Sequence, residues 1–172
     1  HALMSVTVLF EEDRLRDYIA GTDEDALLRT AIRLHNAYRL PEEMDDRTRM
    51  FCQILRDADK IDILRVNVET PMEQIYNVST EALRQSPVSP AVLDAFYEHH
   101  CVLRTLNHYP ADNAVGHASF VFELCYPESL RAVAEQGWLW KLLDFKTENP
   151  DTAKVFAGMK AEMQRWLEEH AK

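Results

Sequence analysis

Residues 51–66, FCQILRDADKIDILRV, follow a helical period yet carry Asp57, Asp59 and Asp62 in the middle of an apolar stretch. Positions three and four apart share a helix face, so Asp59 falls on the stripe of Cys52, Leu55, Ile63 and Val66. A carboxylate drawn out of water must be paired, protonated or bound to a metal, because leaving it bare is costly. Whatever this chain folds into must bring a partner to that position.

The remaining segments are also read as helices, giving an all-α fold. Thr70-Pro71, Ser89-Pro90 and Asn149-Pro150 each have the form of an N-cap followed by proline at the first helical position. Thr22 with Asp25 has the spacing of a capping box and opens a helix expected to run through Ala31 and His35 until Pro41 ends it. A second helix is expected over about Arg47–Val66, and others over Ala118–Tyr126 and Ser129–Phe145. Val92, Leu93, Phe96, Leu103 and Leu106 form one helical stripe, and Val155, Phe156, Met159, Trp166 and Leu167 another. SVTVLF at 5–10 suits a strand by its β-branched residues, but its neighbours favour helix.

With 172 residues, 47% of them hydrophobic, the chain can build one well-buried domain. It has four glycines and no Gly-rich phosphate loop. Twenty-nine acidic against nineteen basic residues give a net charge of -10, which argues against a nucleic-acid polymer as partner but permits a small anion received by a local cation. The cysteines, Cys52, Cys101 and Cys125, are odd in number and lie in apolar patterns, which suits buried thiols in a reducing compartment. No apolar run is long enough to span a bilayer, and the start lacks the build of a signal peptide, so a cytoplasmic protein without membrane association is expected.

His35 shares a face with Leu28, Ala31 and Tyr38, one helix before Asp59. The two residues can be a hydrogen-bonded core pair or two ligands of a divalent cation, which neutralises a carboxylate and accepts a neutral imidazole. Other clusters are weaker. His99, His100 and Cys101 are consecutive and fan out around a helix, His117 and Cys125 lack further ligands, and Trp138, Trp140 and Trp166 suit core or dimer contacts.

AIRLHNAYRLP followed by FCQILRDADKIDIL resembles the later half of bacterial HD-domain proteins, a superfamily of metal-dependent phosphohydrolases, with HN on one helix and DADK on the next. HALMSVTVLFEEDRLRDYI and SFVFELCYPESLRAVAEQGWLWKLL are similar to flanking segments of the same subgroup. The resemblance implies a single HD-like helical bundle over residues 1–172, with the remaining metal-site helices in 1–68 and the C-terminal helical part in 69–172. It also implies a divalent metal held by His1, His35 and Asp59, with Asn36 and Lys60 orienting a phosphate or a metal-bound water. Asp57 is expected to pair with Lys60, and Asp62 to accept a hydrogen bond from a neighbouring helix.

No histidine here is followed by aspartate, so the pair that names the family is missing. By resemblance the chain is read as N-terminally truncated, with a homo-oligomer expected through the face left uncovered. Two functions follow as expectations. One is a phosphohydrolase acting on a small phosphorylated or nucleotide-like substrate, impaired in this chain; the other is a non-catalytic HD scaffold used for dimerisation or ligand sensing.

Overall fold

Short polar residues, prolines and left-handed turns decide where each helix of this chain starts and stops, and helix is the only regular structure among the described residues. The computed structural model describes residues 2–171. The chain divides into two compact units, with the boundary after Asp59.

In the first unit α1 (Ala2–Val6) continues as a π-helical turn over Thr7–Glu11, and a 3-10 turn over Arg14–Asp17 leads to α2 (Asp25–Leu34). SVTVLF is therefore helical, as its neighbours suggest. Val6, Leu15, Leu27, Ala31 and Cys52 are buried in this unit, and burial pushes the Cys52 thiol up from its ordinary range. The unit boundary falls inside the long α3 (Asp46–Glu69).

The second unit continues with α4 (Met72–Tyr76), α5 (Thr80–Gln85), α6 (Pro90–Tyr97), α7 (Pro110–Ala118), α8 (Pro127–Gln136), α9 (Trp138–Leu143) and α10 (Pro150–His170). Helix α10 packs against α6, α8 and α9. The core holds Phe96, Val115, Val121, Leu139, Met159 and Met163, all fully buried. Full burial of side chains of this size contributes roughly 1.5–3 kcal/mol each. Trp166 lies in this core, and Trp138 and Trp140 pack against it.

Several boundaries differ from those expected. The Thr22–Asp25 capping box does not form: Glu24 is the N-cap of α2 without a side-chain cap bond, and Asp25 N–H donates to the Thr22 carbonyl instead. Pro71 is the N-cap of α4 rather than its first residue. The 118–126 segment is the end of α7 followed by a 3-10 turn over Ser119–Glu123, and the true helix start is Tyr109-Pro110. Gly137, at φ 73°, breaks 129–145 into α8 and α9, a backbone position that only glycine takes without strain. His99, at φ 59°, likewise separates α6 from Leu103 and Leu106. Cys52 and Cys101 are buried as expected, but Cys125 is exposed.

Asp112, fully buried at the third position of α7, holds the starts of α6 and α7 together. Its Oδ1 accepts the Ser89 backbone N–H at 2.8 Å. Its Oδ2 accepts from the Ser89 hydroxyl at 2.6 Å and from the backbone N–H groups of His108 and Tyr109, each at 2.9 Å. Each buried donor deprived of its acceptor costs about 1–3 kcal/mol. Asp112→Ala is therefore expected to destabilise the protein by at least about 3 kcal/mol, read as a lower urea midpoint at unchanged slope.

Candidate functional site

The arrangement around His35 begins with how α2 ends. His35 is the C-cap residue of α2, and its ring Nδ1–H donates to the Ile32 carbonyl at 2.6 Å, satisfying one of the orphan carbonyls of the last turn. With Nδ1 carrying a proton, the neutral form of the ring has its lone pair on Nε2. The segment that follows is pinned by two arginines of α3, seven residues apart. Arg56, 7% exposed, donates to the carbonyls of Ala37 and Tyr38, and Arg49 donates to those of Pro41 and Glu42 at 2.8 Å each. These bonds set the turn after His35.

Within this unit His35 Nε2 lies 3.9 Å from Asp59 Oδ1. The imidazole is buried, and the carboxylate is about a quarter exposed. The separation is too long for a direct hydrogen bond. It is also wider than the about 3.0–3.4 Å between neighbouring ligands that each sit about 2.1 Å from one ion at tetrahedral or octahedral angles. An inward movement of about half an ångström would bring both atoms onto one ion by that geometry. The donor types suit a divalent cation, and the Nδ1–H bond to a backbone carbonyl is the support that metal-bound histidines commonly have. Among the described residues no group of three His, Cys, Asp or Glu side chains converges as a metal set. His1, the other expected ligand, lies outside the described residues.

The residues flanking His35 and Asp59 have separate surroundings. Asn36 is exposed. Lys60 is 8% exposed and donates to Glu123 Oε2 at 2.8 Å, so its ammonium is already paired with a carboxylate. Asp62 accepts from Arg65 on its own helix rather than from a neighbouring one, and Asp57 is buried. His99 Nε2 lies 2.8 Å from Glu162 Oε1.

A polar cluster that the sequence reading did not assemble lies in the second unit. Asn67, 2% exposed on α3, donates from Nδ2 to the Ile63 carbonyl at 2.8 Å, which orients its amide. Its Oδ1 then accepts from the Tyr76 hydroxyl and from His117 Nδ1–H, the latter at 2.9 Å. The visible signal was an asparagine inside the apolar run of Leu64, Val66 and Val68. Burial pushes the Tyr76 phenol well above its ordinary range. Burial, with a smaller contribution from the Arg104 charge, lowers His117 from 6.5 to about 4. His117 is thus a neutral imidazole whose Nδ1 proton is held by Asn67.

No protein-family model, curated protein or solved structure matches this chain. No helix among the described residues is long and apolar enough to cross a membrane.

Burial of His117 makes the stability of the protein depend on pH. As pH falls from 6.5 to about 4, the unfolded chain takes up this proton before the folded one does. Stability contributed by the neutral ring is present above that window and lost on the way down, by up to about 3 kcal/mol. His117→Gln is expected to flatten the acid limb of the stability profile, checked by urea midpoints at a series of pH values between 7 and 4.

Proposed function

We propose that this protein is a metal-dependent phosphohydrolase of the HD type, impaired in this chain by the missing His-Asp pair, acting on a small phosphorylated or nucleotide-like substrate. The observation that carries the reading is the approach of His35 Nε2 and Asp59 Oδ1 to 3.9 Å, with Nδ1–H of the same ring held by a backbone carbonyl. The resemblance of LHNAYRLP and RDADKIDIL to the HN and DADK segments of that superfamily supports it from the sequence side. His35 and Asp59 supply two of the ligands. A third comes from a donor beyond this pair, His1 being the one the resemblance names.

A divalent ion at such a site supplies Lewis acidity toward a phosphoryl oxygen and a more acidic bound water. The chain's own residues do the positioning. The Ile32 carbonyl holds the His35 tautomer, and Arg49 and Arg56 set the turn that follows it. In this reading Asn36, exposed and next to His35 in the sequence, donates an amide N–H to a substrate oxygen. Lys60 takes a substrate only by exchanging Glu123 for phosphate. A cytoplasmic homo-oligomer belongs to the same reading.

A second reading, a non-catalytic helical HD scaffold for dimerisation or ligand sensing, is favoured by one observation: the described residues do not assemble three metal donors. Metal analysis of the purified protein separates the two. The hydrolase reading expects about one divalent ion per chain, metal-stimulated cleavage of p-nitrophenyl phosphate, and at least ten-fold weaker metal binding in Asp59→Ala and His35→Ala. A chain that binds no metal, or binds it equally well without Asp59, supports the scaffold instead.

A further inference from the structure

A cavity of about 410 Å³ in the second unit is used by neither reading above, and its lining is chemically uneven. It is formed by the last turn of α3, Thr70 and Pro71 with the start of α4, Leu83 and Arg84 of α5, and residues of the segment from Lys141 to Lys146 at the end of α9. Leu83 and Phe145 are buried and Met72 is half-buried, so part of the wall is apolar. The volume lies in the range of small-molecule sites.

Three acidic residues, Glu69, Glu73 and Asp144, and three basic ones, Arg84, Lys141 and Lys146, line this cavity, so a formal count gives no preference. The partners decide otherwise. Glu69 is paired with Arg65. Glu73 is held below the usual carboxylate range by hydrogen bonds from its own backbone and from the Thr80 side chain. Asp144 is paired with Lys160. On the basic side, Lys146 makes no ion pair among the described residues, and Lys141 lies over the Trp138 ring, 4.2 Å from its centroid, a contact that leaves its charge unneutralised. Arg84 is paired with Glu148 at 3.4 Å, a contact about as exposed as those of Glu69 and Asp144, and its charge also acts on Glu73. The three acids and Arg84 all have partners, whereas Lys141 and Lys146 make no ion pair among the described residues. In a chain of net charge -10, the cavity is thus a local site of available positive charge.

We propose that this cavity binds a small amphipathic organic anion, with its charged head on Lys146 and Arg84 and its apolar body against Leu83, Phe145 and Met72. A bare inorganic anion would gain the first interaction without the second. The shared chemistry is an anionic group on a compact apolar body, carried by either a carboxylate or a phosphate monoester.

Calorimetric titration of the whole chain in EDTA tests this, with phenylacetate, phenyl phosphate and inorganic phosphate as probes. At least one aryl anion is expected to bind saturably and about ten-fold tighter than inorganic phosphate; which of the two does so identifies the head group. Lys146→Glu and Arg84→Glu, both at exposed positions, are each expected to weaken that binding at least ten-fold with an unchanged circular dichroism spectrum. Lys154→Glu, an exposed charge reversal at a lysine that does not line the cavity, and Asp59→Asn leave it unchanged. The proposal is overturned if neither aryl anion saturates, if inorganic phosphate binds as tightly, or if the reversals at 146 and 84 have no effect. It is equally overturned if phenyl phosphate binding is lost in Asp59→Asn and kept in Lys146→Glu, since the ligand would then belong to the His35–Asp59 pair. Failure of the metal-centre reading leaves these outcomes untouched, because every titration is made without metal.

Discussion

A carboxylate with no exposure to solvent, surrounded by donors, organises the larger unit. Asp112 reaches back to the N–H groups that begin α7 and across to the residue that begins α6. Both helices open with a proline, which lacks an N–H, so the remaining donors at those starts need an acceptor. One side chain provides it for both. The apolar packing of Phe96, Val92 and Val115 depends on those two starts being held in register.

The same logic recurs with arginine and asparagine. Arg56 caps the carbonyls that follow α2 and so determines where the chain goes after His35. Asn67 gathers a phenol and an imidazole onto one amide oxygen inside the second unit. Buried polar groups of this kind tolerate few alternative arrangements, because each lost partner leaves an unsatisfied donor or acceptor in a medium that solvates it poorly. They select one arrangement of helices from the many that apolar stripes alone allow.

The all-α class was legible because helical period, N-capping residues and proline act locally. Ser89-Pro90 and Asn149-Pro150 open helices as read, and the Asn149 side chain accepts from both Asp151 and Thr152 N–H. Boundaries that depend on backbone conformation were not legible. The left-handed residues Asn77, His99 and Gly137 end or separate helices inside patterns that look continuous when only apolar spacing is counted. The His35–Asp59 approach was visible as two polar groups on apolar stripes of successive helices. The Asn67–Tyr76–His117 cluster was not, because it joins residues up to fifty positions apart and no local rule brings them together. The cavity cations were invisible for a similar reason: Lys146 is distinguished there by making no ion pair among the described residues.

The three thiols differ in accessibility: Cys52 and Cys101 are enclosed, and Cys125 alone stands at the surface, just past the 3-10 turn that carries Glu123. A bulky electrophile such as a maleimide dye therefore finds a single attachment point on the native molecule. That point lies two residues from the carboxylate holding Lys60, so a reporter placed there senses the environment of that ion pair without any engineered cysteine.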